Sequence, residues 1–217
     1  MIKAVIFDMD GLLIDSEPIW TEAKTKVFST VDINLTIEMA HQTIGLRTDE
    51  TVEYWYMRHP WNSPTQKEVS NQINSAVVEL VKEKGIAKQG VKESINVCET
   101  AGIPMAIASS SSQSIIKAVM DKIGIADKIH IIHCAYDEDY GKPHPAVYIS
   151  TAKELGVHPS DCVAFEDSAN GVLSAKAAKM KCIAVPEPWT RTDKRFGIAD
   201  IILDSLNDFK IDLVKDW

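Results

Sequence analysis

The sequence predicts an α/β protein: a parallel sheet covered by helices on both faces, with a bundle of further helices inserted after the first strand. Three observations carry this. Short apolar runs recur at residues 2–7, 103–108, 129–135, 162–165, 182–185 and 201–203. Helical patterns separate most of them, over residues 91–101, 112–123, 145–155 and 169–178. From about Ser16 to Gly90 no strand pattern appears. Strand–helix alternation with short links implies a parallel sheet buried on both sides.

The elements follow in order. Residues 2–7 are apolar and β-branched and are closed by Gly11, so they read as a buried strand emptying into a loop. Residues 17–28, 36–44, 49–57 and 65–84 are helical in pattern, with Pro60 and Pro64 punctuating the middle. This insert, residues 16–89, is expected to form a helical cap on a core built from residues 1–15 and 90–217. Two chain crossings, near residues 14–17 and 84–90, would join the two parts and act as hinges. Gly102, Gly124 and Gly156 follow predicted helix ends, where a left-handed cap residue is wanted. No internal repeat or low-complexity tract is visible.

Composition narrows the function. The chain has 217 residues, of which 45% are hydrophobic, enough for a sizeable core. Its net charge of −8 disfavours a nucleic-acid or anionic-membrane partner, which needs a basic face. An anionic small molecule remains compatible if local groups counter the overall field. No stretch approaches the roughly 18 apolar residues of a membrane span, and the first apolar run meets Asp8 too soon for a secretory signal. Cys98, Cys134, Cys162 and Cys182 are widely spaced, form no Cys-x-x-Cys pair and are expected to be buried, reduced thiols. A cytoplasmic protein, monomeric or weakly dimeric, is expected.

Ligands of open parallel sheets bind beyond the carboxyl ends of the strands. After the first run stand Asp8 and Asp10, after the second Ser109, Ser110, Ser111 and Ser112. After the third comes Gly141-Lys142-Pro143, and after the fourth Glu166 and Asp167. Side chains at i and i+2 of a strand share a face, so Asp8 and Asp10 should leave the strand tip together. Two such carboxylates need a proton, a cation or a division of labour. The set suits phosphoryl transfer. A carboxylate attacking a phosphate dianion needs charge neutralisation, which Mg²⁺ and Lys142 would supply. Asp8, the backbone carbonyl of Asp10 and Asp167 match the oxygen preference of Mg²⁺. Ser109 can donate to a phosphoryl oxygen. Asp10 can protonate the leaving oxygen and later take a proton from water.

These segments resemble, in order and spacing, the four motifs of the haloacid dehalogenase (HAD) superfamily. Asp8-Met9-Asp10-Gly11 is similar to the first, Ala108-Ser109 to the second, Lys142 in Gly-Lys-Pro-His-Pro to the third, and Glu166-Asp167-Ser168-Ala169-Asn170-Gly171 to the fourth. The helical insert resembles that superfamily's C1-type cap. The stretches Thr43-Ile44-Gly45-Leu46-Arg47 and Trp55-Tyr56-Met57-Arg58-His59-Pro60-Trp61-Asn62 resemble sugar phosphatases of the 2-deoxyglucose-6-phosphate (hexitol) phosphatase type. The resemblance implies a Rossmann-like, HAD-like core and a Mg²⁺-dependent phosphatase of small phosphorylated sugars that works through an aspartyl-phosphate. It implies Asp8 as nucleophile, Asp10 as acid and base, and Asp8, Asp10 and Asp167 on the metal. Asp8, Asp10, Ser109, Ser110 and Lys142 would meet the substrate, with Glu166 holding metal-bound water.

The rival within the superfamily is a β-phosphoglucomutase-like phosphosugar mutase. Those mutases resemble this chain in the first motif but carry a histidine where it has Trp20, which favours hydrolysis. Ser111 and Ser112 are expected to serve a polar loop and a helix N-cap rather than the chemistry. Of the cap residues, Trp20, Tyr54 and Trp55 are expected in the bundle core. Arg47, following Gly45 in a helix–helix turn, is a candidate specificity residue. His130 and His133 are expected on opposite faces of a strand and make no metal set.

Overall fold

The structure, a computed structural model, describes residues 2–217. Six strands form one sheet: β1 (Ala4–Phe7), β2 (Met105–Ser109), β3 (Ile131–Cys134), β4 (Cys162–Glu166), β5 (Lys181–Ala184) and β6 (Ile201–Ile202). Their order is β3-β2-β1-β4-β5-β6, and every neighbouring pair is parallel. β1 is central, with Val5 opposite Met105 on one side and Val163 on the other. The order reverses at β1, the switch point where such sheets bind ligands.

Alternation along β1 builds two core layers. Val5 and Phe7 join a layer with α5 (Val91–Thr100) and α6 (Gln113–Ile123), through Ile95, Ile115, Ile116 and Val119. Ala4 and Ile6 join the opposite layer with α7 (Ala146–Glu154) and α8 (Ala169–Ala177), through Val147, Tyr148, Val172 and Ala175. Central strands buried on both faces read as continuous apolar runs, which is why these runs stood out in the sequence.

Between β1 and α5 the chain makes α1 (Glu17–Phe28), α2 (Ile37–His41), α3 (Thr48–Tyr56) and α4 (Gln66–Lys84). Ile19, Ala23 and Val27 of α1 and Val69, Ile73, Val77 and Val81 of α4 are buried in the same core that reaches down to the sheet. A capping box starts α4: Thr65 Oγ1 accepts from Glu68 N–H at 3.3 Å, and Glu68 Oε2 accepts from Thr65 N–H at 2.8 Å. At its other end Lys122 of α6 donates to the carbonyls of Lys82 and Glu83 at 2.7 and 3.2 Å, satisfying two terminal acceptors. α2 is shorter than the pattern over residues 36–44 suggests. Thr36 is its N-cap, and the chain then turns through Gly45, whose φ of +79° is left-handed. The two crossings run side by side, with Ile14 bridged to both Asp10 and Ala87 and Asp15 N–H donating to Ile86 O at 2.9 Å. Among the described residues no helix is long and apolar enough to cross a membrane. All four cysteines are buried and free.

Candidate active site

Four strand ends converge on one cleft. Asp8 follows β1, Ser109 ends β2, Lys142 lies in the loop before α7, and Glu166 and Asp167 close β4. The cleft is lined by Asp8, Asp10, Ser109, Ser110, Ser111, Lys142 and Asp167 from the strand ends. From the helical insert it is lined by Glu17, Trp20, Lys24, Leu46, Thr48 and Thr51.

Lys142 is the hub. Its buried ammonium donates to Asp8 Oδ1 and Glu166 Oε1, both at 2.6 Å, and to Ala108 O at 3.0 Å. Tyr148 Oη, from α7, donates to Glu166 Oε1 at 2.6 Å. Two glycines make room. A Cβ at Gly171 would fall 1.9 Å from the Glu166 carboxylate, so α8 can start against that acid only without a side chain there. Gly11 has a φ of +79°, and a Cβ on it would lie 2.1 Å from Asp167 Oδ2. Asp10 is held apart from this cluster: Trp20 Nε1 donates to its Oδ1 at 2.7 Å and Ser111 Oγ to its Oδ2 at 2.6 Å. The first-strand aspartates therefore share the cleft but not their partners.

The cluster is acidic and buried. Burial pushes Asp8 up to about 8, against the pull of Lys142 and with the repulsion of Glu166. Burial, then the charges of Asp8 and Glu166, raise Asp167 well above the ordinary carboxylate range. Burial works to lower Lys142, but Asp8 and Glu166 outweigh it and hold the ammonium above its usual range. Asp8, Glu166 and Asp167 each present an oxygen within 4.8 Å of the others. One ammonium against three clustered carboxyls leaves a demand for positive charge, and an all-oxygen donor set of this kind fits a hard divalent cation. Glu166 Oε1 is already committed to Lys142 and Tyr148, so Asp8 and Asp167 are the carboxylates better placed to take an ion. Both oxygens of Asp10 are committed too, so its carboxylate stands outside the cluster.

Ser109 is fully buried, and its Oγ accepts from Ser111 N–H at 3.0 Å. Ser110 Oγ is buried with no hydrogen-bond partner, an orphan that a ligand oxygen would satisfy. Ser112 is the N-cap of α6, but Ser111 is no mere loop residue: its hydroxyl holds Asp10. Trp20 packs against the core as expected but also lines the cleft, with its indole on Asp10, whereas Trp55 is buried in the core. Arg47 does not line the cleft. Its guanidinium donates to Ala135 O and Glu138 O at 3.0 and 2.9 Å and pairs with Asp49 at 3.0 Å, tying α3 to the loop after β3. His133 lies between Glu154 and Glu138, and His130 Nδ1 accepts from Met105 N–H outside the strand.

Several residues of the site carried no motif: Glu17, Lys24, Thr48 and Thr51 line the cleft, and Tyr148 is buried against Glu166. A signal for the first two exists, because Glu17, Trp20 and Lys24 are spaced i, i+3, i+7 and so share one face of α1. Nothing local distinguishes Thr51 or Tyr148 from ordinary helix residues.

A sequence model of haloacid dehalogenase-like hydrolases matches residues 5–185. The chain is 42% identical over 209 residues to hexitol phosphatase B of Escherichia coli (strain K12), covering 95% of this chain and 94% of that one. It superposes on CbbY from Rhodobacter sphaeroides, solved in complex with phosphate, with a TM-score of 0.88 at 28% identity, covering 96% of each chain. It also superposes on a β-phosphoglucomutase from Clostridium difficile with a TM-score of 0.86, covering 100% of this chain and 96% of that one. At 24% identity this second likeness speaks for the fold alone. Motifs, sheet order and relatives agree: the chain belongs to the haloacid dehalogenase-like hydrolase family.

Proposed function

We propose that the protein is a Mg²⁺-dependent phosphatase of small sugar phosphates, acting through a phosphoryl group carried on Asp8. The observation that carries this is the separation of the two first-strand aspartates. Asp8 sits in the buried, cation-demanding cluster with Lys142, while Asp10 is held outside it by Trp20 and Ser111. This division supports a reading in which Asp8 attacks and Asp10 moves protons.

Asp8 and Asp167 would hold Mg²⁺, with the backbone carbonyl of Asp10. The ion would supply the positive charge that lets a carboxylate approach a phosphate dianion. Ser109 and Ser110 bind the phosphoryl oxygens, and Lys142, whose donors are held by Asp8, Glu166 and Ala108 O, contributes its charge. The Asp8 carboxylate forms a bond to phosphorus as the ester oxygen leaves, and Asp10 gives that oxygen its proton. Asp10 then takes a proton from water as it attacks phosphorus, freeing inorganic phosphate and restoring Asp8. Glu166, fixed by Lys142 and Tyr148, orders the floor of the site. The helices between residues 16 and 89 serve as a cap whose closure on the paired crossings excludes bulk water.

Likeness to hexitol phosphatase B supports a sugar or polyol phosphate as substrate. Turnover of hexose and hexitol phosphates with Mg²⁺, followed by phosphate release, tests the reading. Asp8→Asn is expected to fall to background with its fold intact, and near-normal hydrolysis by that variant would refute it. A mutase reading has no residue of this cleft that favours it, and the β-phosphoglucomutase likeness bears on the fold alone. Formation of glucose 6-phosphate from β-glucose 1-phosphate, without free phosphate, would reverse that preference.

A further inference from the structure

The cleft at Asp8 is too small for the substrate proposed above. It encloses about 80 Å³, room for roughly five to eight water-sized groups, which one phosphate largely fills. Trp20 of the insert already reaches Asp10, so insert and core are closed over the reacting groups. A six-carbon sugar or polyol must therefore lie beyond this space. A second cleft, of about 610 Å³, adjoins it, and the two share Glu17, Ile44, Asp167 and Ser168. His41 lines the second cleft from the insert and Trp189 from the loop after β5. Their rings stack across the boundary, with centroids 4.7 Å apart and planes 14° from parallel. Trp189 is 52% exposed, so much of its indole stays open to a ligand. The charges of this cleft are already spent. Arg195 donates to Asp193 and to Asn170 Oδ1, and Glu187 is paired with Lys88. Glu17 and Asp167, where the clefts meet, are acids. A second anion would find an occupied guanidinium and two like charges. Hydroxyl groups would fare better, because Thr192 offers a hydroxyl and Asn170, bonded through its oxygen, keeps its two N–H donors.

We infer that this second cleft holds the leaving group, with the phosphate at Asp8 and the rest of the ester lying along Trp189 between insert and core. The inference rests on the sugar-phosphate reading and deepens it: the leaving group is a neutral, polyhydroxylated chain or ring long enough to pass Ile44. Such a molecule has a carbon-lined face for the indole and hydroxyls for the polar lining, the mix of apolar wall and few polar groups that small-molecule sites use. The loop after β5 thereby becomes a determinant of specificity, although it lies outside every motif of the reaction.

The test measures kcat and KM, with Mg²⁺, for glucitol 6-phosphate, gluconate 6-phosphate and methyl phosphate, the last too short to reach the second cleft. Wild-type protein is compared with Trp189→Ala and Trp189→Phe, each checked for fold by circular dichroism. In Trp189→Ala the KM for glucitol 6-phosphate should rise roughly 10-fold with kcat little changed, as loss of a large apolar contact implies. Methyl phosphate should be affected far less, and Trp189→Phe should recover most of the loss. Calorimetry adds a readout without turnover: glucitol 6-phosphate should bind Asp8→Asn more tightly than Asp8→Asn combined with Trp189→Ala. An unchanged KM for glucitol 6-phosphate in Trp189→Ala, or an equal loss on methyl phosphate, would overturn the inference while leaving the phosphatase reading intact. So would a wild type that favours gluconate 6-phosphate over glucitol 6-phosphate. Failure of wild-type protein to hydrolyse any of these esters, or p-nitrophenyl phosphate, would instead strike that reading, and the calorimetric comparison would still judge the cleft.

Discussion

Lys142 holds together two buried acids that would otherwise repel, and it does so without solvent to share the charge. Removing one partner of such a cluster costs more than the cluster contributes, because the remaining charges stay buried. Lys142→Met is therefore expected to lose about 3–5 kcal/mol of stability in urea denaturation of the metal-free protein at pH 9, above the range in which burial keeps Asp8 protonated, and with it all turnover. Stability within about 1 kcal/mol of wild type would mean that the acids are protonated or hydrated without it. Ser111 acts at a different point. Its hydroxyl donates to Asp10, so Ser111→Ala should lower kcat roughly 10-fold with little change in KM, the worth of one hydrogen bond to the group proposed to move protons. A change confined to KM would contradict that role. Ser111 was hidden in the sequence because four serines in a row offer no local clue to which hydroxyl turns inward. Ser112 does start the helix, as serine at that position should.

At the scale of the element, α3 and its N-terminal Arg47 connect the inserted helices to the loop after β3. Arg47→Ala should speed limited proteolysis within the crossing at residues 84–90 severalfold, since opening of the insert is then less opposed. An unchanged cleavage rate would show that packing of α4 on α6, rather than this clamp, sets the opening. The elements themselves were largely legible. α1 begins at Glu17 and ends at Phe28 as the pattern indicates, and each apolar run became a strand within a few residues of its expected ends. The exceptions have physical reasons. β2 begins only at Met105, because Pro104 cannot donate to a ladder, although its carbonyl accepts from Val5 N–H. α2 stops at His41 because the chain must turn through Gly45 toward the cleft. Arg47 followed the turn as expected, but which way its guanidinium points depends on Ala135 and Glu138, far away in sequence and invisible to any local pattern.

For the whole molecule, a central acidic cluster on a chain of net charge −8 would make binding of the proposed Mg²⁺ and proton release one event. Burial holds Asp8 protonated up to about 8 when no ion is present. A cation needs the carboxylate, so it must displace that proton. Mg²⁺ binding should therefore release protons at pH 6–7, and its apparent affinity should rise as pH increases toward 8. Calorimetry in buffers of unlike ionisation heat reads this directly, and affinity independent of pH across that range would contradict it. The central claim concerns where the phosphoryl group goes. Protein mixed with a ³²P-labelled hexose phosphate and quenched in acid within one turnover should carry label on the peptide containing Asp8. That label should be labile to hydroxylamine and absent from Asp8→Asn. Label on another residue, or rapid turnover with no labelled protein at any quench time, would contradict the account.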